Sequence, residues 1–396
     1  MKLWEKGYAP NPLVEQFTVG KDPELDMELV PYDILASKAH AGVLHSAGVL
    51  QDDELTKLVN SLEDIYTEYQ QGKFIISVSE EDCHTAIENQ LTQKLGDLGK
   101  KIHTARSRND QVLTAIRLFE MDAIGSILSA IDSLIGFMKT FADSNTEVPM
   151  PGYTHTRKAM PFSVKDWMEA FIDSLYDDKK MLNAVLELID QNPLGTGAGF
   201  GVPFPLDRSI SQKELGFKRS LDNPLYAQNS RGKFESQILS SCQNVLMTLN
   251  RMSTDLILFT MPEFGFFTIE DSLTTGSSIM PHKKNPDVLE LVRASVHQLT
   301  GYQVQVQNTY TNLISGYHRD VQFTKEPLMN GLKLCRDSVE VFALVMQACK
   351  PNTANLSAAM SDELYTVQKV YDLVKKGIPF REAYKIIASQ FFNKKS

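Results

Sequence analysis

Residues 276–286, GSSIMPHKKNP, combine hydroxyl groups with positive charge in a connector between two long apolar segments. The paired serines offer hydroxyls and backbone amides, and Lys283 and Lys284 would attract an anion. Pro286 is suited to the first turn of a helix, with Asn285 as its natural N-cap. Capping explains the end of the segment but not its serines or lysines. A nucleotide-binding P-loop is excluded, because the spacing G-x-x-x-x-G-K-[ST] is absent.

A second polar cluster, HTARSRNDQ at residues 103–111, stands where a long helix is predicted to begin. The guanidinium groups of Arg106 and Arg108, with the free amides of a helix N-terminus, would make a site for a carboxylate or a phosphate. An ordinary capping region with solvated arginines fits the same residues. Read alone, the cluster leaves both interpretations open.

Two weaker clusters also carry polar side chains that could do chemistry. MPGYTHTRKAMP at 150–161 holds His155 on a connector bracketed by prolines. Imidazole exchanges a proton near neutral pH, so His155 could be a general acid or base, although a surface histidine beside a turn fits equally well. In GYHRDVQFTKE, the side chains of Tyr317, Gln322 and Lys325 could bear on one ligand, or the segment could be a polar kink between helices.

The glycine-rich segment LGTGAGFGVPFP at 194–205 resembles a dinucleotide-binding loop only superficially. Phe200 stands where the last glycine or alanine of G-x-G-x-x-G/A would fall, and no predicted strand precedes the segment. We therefore expect these glycines to let backbone approach backbone, or to line a pocket.

Helical periodicity dominates the rest of the chain. Between residues 112 and 141, apolar side chains recur at three-, four- or seven-residue spacing and cover much of the circumference. Such a helix belongs inside a bundle or between subunits. Similar helices are predicted at about 163–191, 233–260, 286–315 and 326–348. Only residues 74–79 look faintly extended, so the sequence predicts an all-α fold with very long central helices.

Long polar connectors between these helices are where function is expected, because unstructured connectors of this length are uncommon in compact domains. They cover residues 145–162, 191–225 and 262–285. Changes in pattern predict three domains along the chain. These are an N-terminal domain at 1–104, a central long-helix bundle domain at 105–352 and a short C-terminal helical domain at 353–396.

Composition favours a cytoplasmic protein. The net charge of −9 aids solubility, and no basic face or tail indicates a nucleic-acid partner. The four cysteines stand far apart without metal-ligand spacing, which predicts reduced, buried thiols and no metal site. The N-terminus, MKLWEKGYAPNP, lacks an apolar core of signal-peptide length, and no run approaches the ~20 apolar residues of a membrane span. We therefore expect neither nucleic acid nor a membrane as a partner.

The loop at 276–286 resembles the signature G-S-S-x-M-P-x-K-x-N-P of the fumarase/aspartase superfamily at every fixed position. Within that superfamily, HTARSRNDQV is similar to the hallmark of the argininosuccinate lyases and of the eye-lens crystallins related to them. The resemblance extends from about Phe17 onward. Further matches are GYTH at 152–155, the LGTGA stretch, PFPLDR at 203–208, PEFGF at 262–266 and the spacing of Tyr317, Gln322 and Lys325.

The resemblance implies a fumarase/aspartase-like fold in which long helices form the central bundle of a homotetramer, with each active site built by three subunits. It implies reversible elimination of argininosuccinate to arginine and fumarate, the last step of arginine biosynthesis, without a metal or an organic cofactor. Two alternatives stay open. The chain could be another fumarate-releasing lyase of the superfamily, or a non-catalytic structural protein like the crystallins.

By the same resemblance, three residues carry the proton transfers. Ser277 corresponds to the base that removes the proton β to the departing nitrogen. His155 corresponds to a general acid or proton relay, with Glu290 as its acidic partner. A serine hydroxyl is a poor base in water, so the site must stabilise its alkoxide strongly.

The resemblance also assigns the residues that hold the substrate. Lys283 and Asn285 would hold a succinyl carboxylate and stabilise the aci-carboxylate intermediate, while Ser278 would contribute its backbone amide. A preorganised donor at such a charge is worth about 3–4 kcal/mol. The other positions implied to bind substrate are Arg108, Asn109, Thr154, Tyr317, Gln322 and Lys325, with His84 as a further candidate.

Overall fold

The computed structural model describes residues 11–392, so the expectation drawn from the first residues of the chain lies largely outside the described part. Helices dominate this range. In chain order they are α1 (Pro12–Val19), α2 (Asp22–Leu25), α3 (Val30–Ser46), α4 (Asp52–Gln70), α5 (Cys83–Leu95), α6 (Asp97–Lys100), α7 (Arg108–Ser144), α8 (Val164–Ile189), α9 (Arg208–Glu214), α10 (Pro224–Asn229), α11 (Lys233–Phe259), α12 (Asp287–Tyr310), α13 (Lys325–Ala348), α14 (Thr353–Ala359), α15 (Thr366–Lys375) and α16 (Phe380–Phe392).

The predicted all-α class is confirmed, because strands in the described range form only three two-stranded ladders. β1 (Pro149–Thr154) and β2 (Arg157–Ser163) are antiparallel, β3 (Gln191–Asn192) and β4 (Arg219–Ser220) are parallel, and β5 (Phe267–Ile269) and β6 (Cys349–Pro351) are antiparallel. Short 3₁₀ turns cover Asp26–Glu28, Lys101–His103, Asp271–Leu273, Arg319–Thr324 and Asp362–Tyr365.

The five long helices predicted from periodicity are present as α7, α8, α11, α12 and α13. The predicted end of α12 near residue 315 is wrong, since the helix ends at Tyr310. Asn312 has a φ of 63°, in the left-handed region that ends a right-handed helix. The apolar periodicity of the sequence continues past this point, but the helical conformation of the backbone does not.

Two expectations about extended segments are also wrong. Residues 74–79 form no strand and have no ladder partner in the described range. Conversely, the predicted connector 145–162 contains the hairpin β1–β2. Its prolines indicated a loop, but an isolated two-stranded ladder tolerates proline, because one side of each strand needs no hydrogen bond.

The chain divides into two compact units, and each consists of three separate segments. Unit 1 comprises Met1–Ser126, Met181–Cys242 and Leu299–Lys333. Unit 2 comprises Ile127–Lys180, Gln243–Gln298 and Leu334–Ser396. The boundaries fall inside the five long helices rather than in connectors. The division into three successive domains stays a prediction.

In unit 1, a single arginine organises the connector that follows α8. Arg208 donates from Nε to the carbonyl of Leu194, from Nη1 to that of Leu221 and from Nη2 to that of Asn192, each at 2.8 Å. Three backbone carbonyls are thereby satisfied by one fixed guanidinium. This explains how a connector with little regular structure keeps a defined path.

In unit 2, aromatic side chains form the centre of the packing. Trp167 lies within 5.2 Å of the Phe267 ring and 5.6 Å of the Phe171 ring, centroid to centroid, and its Nε1 donates to Asp255 at 3.1 Å. A hydrogen bond between Ser174 and Thr248 at 2.8 Å also joins α8 to α11. Buried aromatic pairs of this kind stabilise a core beyond their apolar area.

All four cysteines are free and buried, which confirms the predicted reduced thiols. The expectation about membrane spans needs correction. α7 is long and apolar enough to cross a bilayer by length and composition alone, and a third of its most apolar window (33%) is buried in the protein. A core helix meets the same criterion, and α7 also carries the buried ionisable side chains of Arg117 and Glu120.

Candidate active site

A polar cavity of about 250 Å³ lies in unit 1. It gathers side chains from the N-terminal segment, the start of α5, the first turn of α7 and the segment before α13. Six of the predicted substrate-binding residues line it: His84, Arg108, Asn109, Tyr317, Gln322 and Lys325. The other lining residues are Asp22, Asp26, Asp82, Val112, Arg231 and Arg319.

Lys325 is buried at one side of this cavity between two carboxylates. Its Nζ lies 2.9 Å from Oδ1 of Asp22 and 2.5 Å from Oδ1 of Asp26. Burial alone would lower the pKa of the Lys325 ammonium, but Asp26 and Asp22 raise it above its ordinary value. Lys325 therefore remains charged at neutral pH.

Arg108, at the start of α7, is held by the turn that precedes α5. Its Nη1 donates to Oε2 of Glu81 at 2.7 Å, and its Nε contacts Oδ2 of Asp82. Burial lowers the pKa of the Arg108 guanidinium, whereas Asp82 and Glu81 more than reverse that effect. The guanidinium is thus fixed in the cavity wall.

Local capping shapes the first turn of α7. Ser107 Oγ accepts from the amide of Asn109 at 3.2 Å, and Oδ1 of Asp110 accepts from the amide of Ser107 at 2.8 Å. The capping part of that interpretation of HTARSRNDQ is correct, but its solvated arginines are wrong, since Arg106 is buried and Arg108 is ion-paired. Arg108 and Asn109 lie on the cavity wall. Arg106, by contrast, is buried away from this wall and donates to Ser37 Oγ at 2.9 Å.

The glycine-rich segment is joined to the start of α7 by a side-chain carboxylate rather than by a contact of backbone with backbone. Oδ2 of Asp110 accepts from the amides of Gly195 at 3.0 Å and Gly197 at 2.9 Å. Both glycines have positive φ, 86° and 63°, which side chains disfavour. One carboxylate thus connects the connector after α8 with the helix that carries Arg108.

Gln322 holds the end of α1 rather than projecting freely. Its Nε2 donates to the carbonyls of Thr18 at 3.1 Å and Val19 at 3.3 Å, and its Oε1 accepts from Nε of Arg319 at 2.9 Å. Arg319 also donates to the carbonyl of Thr18 at 2.7 Å. These bonds position the N-terminal segment that supplies Asp22 to the cavity.

His84, which lines the cavity, forms a buried ion pair with Asp33. Its Nδ1 lies 2.8 Å from Oδ1 of Asp33, and both side chains are 1% exposed. Burial lowers the pKa of His84, but Asp33 raises it above the ordinary value overall. The same contact lowers the pKa of Asp33 although burial would raise it.

Asp26, Cys83 and His84 have candidate metal-ligand atoms within 4.8 Å of one another. The chemistry of these donors does not favour a metal ion. Asp26 is already paired with the Lys325 ammonium, and His84 is already paired with the Asp33 carboxylate. Burial raises the pKa of the Cys83 thiol well above its ordinary value, so the thiolate that a metal needs is disfavoured.

The signature loop belongs to unit 2, where an antiparallel bridge closes its base. The amide of Asn285 donates to the carbonyl of Thr275 at 2.8 Å, and the amide of Thr275 donates back at 3.0 Å. The predicted N-cap is wrong, since α12 begins at Asp287 and the carbonyl of Pro286 accepts the first helical hydrogen bond. The Asn285 amide group instead donates to the carbonyl of Gly276 at 3.5 Å.

Within the loop, Ser277 Oγ accepts from two backbone amides, those of Met280 at 3.2 Å and Ile279 at 3.4 Å. The two lysines differ in their surroundings. Lys284 pairs with Asp271 at 2.6 Å, whereas Lys283 is exposed and makes no side-chain hydrogen bond within residues 11–392. Of the two, Lys283 is the cation that remains free to meet an anion.

His155 occupies the tip of the β1–β2 hairpin, also in unit 2. His155 and Thr156 have positive φ values of 51° and 56°, and Thr154 lies opposite Arg157 in the ladder. Such a two-residue turn normally takes glycine or asparagine, so the backbone at His155 is strained. Thr154, His155 and Glu290 are all exposed.

The structure thus gathers one half of the predicted site and leaves the other half dispersed. The unit 1 residues line one cavity. In the described part of the chain, no hydrogen bond or ion pair joins His155, Ser277 and Glu290 to one another. Sequence reasoning missed Asp22, Asp26, Asp82, Arg231 and Arg319, whose cavity positions depend on contacts distant in the chain.

Comparison with known proteins identifies the family. A protein-family model described as Lyase matches residues 9–301. The argininosuccinate lyase of Thermotoga neapolitana is 45% identical over 394 residues, covering 100% of this chain and 99% of that protein. The chain belongs to the argininosuccinate lyase family. The argininosuccinate lyase of Parabacteroides distasonis is 41% identical, with 100% of this chain and 90% of that protein covered.

Solved structures of the fumarase/aspartase superfamily share the fold of this argininosuccinate lyase family member. An EDDS lyase variant with bound fumarate superposes with a TM-score of 0.81 at 22% identity, covering 96% of this chain and 76% of that chain. A class II fumarase from Schistosoma mansoni gives the same TM-score of 0.81 at 17% identity, covering 98% and 90%. At such identities the likeness concerns the fold alone, and it confirms the predicted fumarase-like architecture.

Proposed function

We propose that this chain catalyses the reversible elimination of argininosuccinate to arginine and fumarate, as the last step of arginine biosynthesis. The observation that carries the proposal is 45% identity to an argininosuccinate lyase over the full length of both chains. The intact loop at 276–286 supports it, because that loop carries the proposed base, Ser277, and the proposed carboxylate-binding residues Lys283 and Asn285.

In the first step, Ser277 Oγ acts as an alkoxide, removes a proton from the succinyl carbon β to the departing nitrogen and becomes a hydroxyl. The electron pair of the broken C–H bond moves into the neighbouring carboxylate and forms the aci-carboxylate. The amides of Met280 and Ile279, which donate to Ser277 Oγ, stabilise negative charge on that oxygen. This geometry supports serine as the base, since it lowers the cost of forming an alkoxide.

Lys283 and Asn285 hold the carboxylate on which charge accumulates. The free ammonium of Lys283 supports this role, whereas Lys284 is neutralised by Asp271. Because donors fixed before the reaction need no reorganisation, they stabilise the dianionic intermediate more than the substrate. Ser278 contributes a backbone amide of the same loop.

In the second step, the C–N bond breaks, its electron pair stays on the guanidino nitrogen, and a proton is added there. We assign the proton donor to His155, with Glu290 as its acidic partner. The strained turn at His155 supports a functional role, because strain of this kind concentrates at active sites. The cavity of Arg108, Asn109, Tyr317, Gln322 and Lys325, with Thr154 on the hairpin, binds the substrate.

We further propose that the active form is a homotetramer whose sites are completed by residues of different subunits. Large apolar side chains exposed on the long helices support this assembly, because monomeric proteins rarely expose extended apolar faces. They include Phe137, Met247, Leu258, Leu291 and Val304. A cytoplasmic location is part of the proposal, since the four cysteines are free and buried.

The function is tested by incubating the purified protein with argininosuccinate and following the absorbance of fumarate. We expect fumarate and arginine to appear in equal amounts. Fumarate released only from another succinyl adduct, such as adenylosuccinate, would move the chain to a sister activity. Absence of turnover with every such substrate would favour a structural protein.

A further inference from the structure

Four lysine and arginine side chains line the unit 1 cavity, and three of them are already bound to protein acceptors. Lys325 is held by Asp22 and Asp26. Arg108 is held by acidic residues before α5, and Arg319 donates to a backbone carbonyl and to Gln322. The fourth cation is Arg231, which no motif in the sequence singled out.

Arg231 is 5% exposed, and its Nε and Nη1 atoms are enclosed without any hydrogen-bond acceptor in the described part of the chain. Its guanidinium lies over the ring of Tyr317, 5.3 Å from the centroid. The ring supports one face of the guanidinium but accepts no conventional hydrogen bond. A buried charged donor that lacks an acceptor destabilises the protein unless a ligand supplies one.

The acidic neighbours of Arg231 do not neutralise it fully. Glu120 and Glu235 lie in the same buried cluster, where Arg117 Nε pairs with Oε2 of Glu120 at 3.2 Å. Burial raises the pKa of Glu120 to about 8 and also raises the pKa of Glu235. Because Glu120 is mostly protonated at neutral pH, it does not supply a counter-charge to Arg231.

We propose that Arg231 binds the α-carboxylate of the arginine half of the substrate. A guanidinium forms paired, charge-assisted hydrogen bonds with a carboxylate, and Arg231 lines the cavity with no protein acceptor for its Nε and Nη1 atoms in the described part of the chain. The inference rests on the proposed function, in which the loop at 276–286 takes the succinyl end.

The test compares the binding of L-arginine with that of agmatine, its analogue without the carboxylate, by titration calorimetry on the intact protein. Wild-type protein should bind arginine at least about tenfold more tightly than agmatine, as expected for a charge-assisted pair. In Arg231→Met this preference should disappear, and in Arg231→Lys it should be partly retained. Affinity for fumarate should not change in either variant.

Arg219→Met removes the same charge from an exposed position on β4, outside the cavity, and should keep the arginine preference. An unchanged preference in Arg231→Met, or a loss confined to fumarate, overturns the proposal. So does wild-type protein that binds both ligands equally, a measurement that needs no variant if Arg231→Met fails to fold. Turnover of argininosuccinate is measured separately, so failure of the proposed function is distinguished from failure of this assignment.

Discussion

The Nζ of Lys325 lies 2.5 Å from Oδ1 of Asp26, a residue 299 positions earlier in the chain, and both groups are buried. The contact fixes the N-terminal segment against the start of α13 within unit 1. It also places two carboxylates side by side at the cavity, because Asp22 pairs with the same Lys325 ammonium as Asp26.

Replacing Lys325 with methionine should destabilise the protein, because it leaves two buried carboxylates without a counter-charge. Removing one partner of a buried pair costs about 3–5 kcal/mol. Urea unfolding measures the loss. Lys57→Met, which breaks the exposed pair with Asp53, is the control and should leave the midpoint unchanged. Equal midpoints for the two variants would contradict a structural role for Lys325.

The buried His84–Asp33 pair should make stability depend on pH in a defined direction. The pKa of His84 is raised in the folded protein, after Asp33 overcomes the lowering by burial. The contribution of His84 to the free energy of unfolding is therefore complete below about pH 6.5, its pKa in the unfolded chain. That contribution is lost as the pH rises through the pKa of His84 in the folded protein. The melting temperature should fall on this alkaline side.

Asp33 should make the stability of the protein depend on pH in the acidic range. Its folded pKa is lowered, so its contribution is present above about pH 3.9 and is lost as the pH falls through the folded value. In Asp33→Asn, melting curves between pH 6 and pH 9 should show a weaker pH dependence than those of wild type. An identical slope would show that His84 is neutral in the folded protein.

Ser277→Ala should lower turnover of argininosuccinate by about 10²–10⁴-fold, the usual contribution of a general base. Its side chain contacts only loop amides, so the melting temperature should not change. Ser278→Ala is the matched control. We expect it to lose little activity, because its proposed contribution comes from the backbone. Retained turnover in Ser277→Ala would remove serine as the base.

The two adjacent lysines offer a second matched pair. Lys283→Met should reduce kcat by about 10²–10³-fold, since a preorganised charge at a developing dianion is worth about 3–4 kcal/mol. Lys284→Met should have a small effect, because Lys284 is occupied by Asp271. The rates of fumarate release measure both. A larger loss for Lys284 would reverse the assignment.

Sites shared between subunits predict complementation. Ser277 lies in the loop at 276–286 of unit 2, and Asn109 lines the unit 1 cavity. The variants Ser277→Ala and Asn109→Ala should each be nearly inactive alone. Mixed tetramers, formed by co-expression, should recover part of the activity, because some sites then receive both wild-type residues. Light scattering should report the mass of a tetramer. Activity that stays at the level of the separate variants would indicate sites made within one subunit.

The long helices could be predicted because their apolar spacing is a local property of the sequence. Local information fails where a residue's environment is built by distant segments. The sequence predicts a loop at the hairpin carrying His155, because its prolines are atypical of strands. The ladder pairing that tolerates those prolines is not visible in the composition. Similarly, Asn285 follows a capping pattern, but the bridge to Thr275 directs its side chain to the loop.

The candidate site shows the same division. Motif spacing identified Tyr317, Gln322 and Lys325, which share one short segment and reach one cavity. Motif spacing did not reveal Asp22 and Asp26, because their partner, Lys325, is about 300 residues away in the chain. It also did not reveal Arg231, whose Nε and Nη1 atoms have no hydrogen-bond acceptor in the described part of the chain. A missing contact leaves no trace in a sequence, so only the folded arrangement could indicate it.

The unit boundaries inside the five long helices have a consequence for dissecting this protein. Neither unit is a continuous stretch, and every internal end of a segment falls within a helix. A fragment that begins or ends in any connector therefore carries incomplete parts of both units. We expect truncation at a connector to yield insoluble or unfolded material, and nicking by a protease to leave the pieces associated. The smallest portion of this chain that can be produced and studied alone is close to the whole of it.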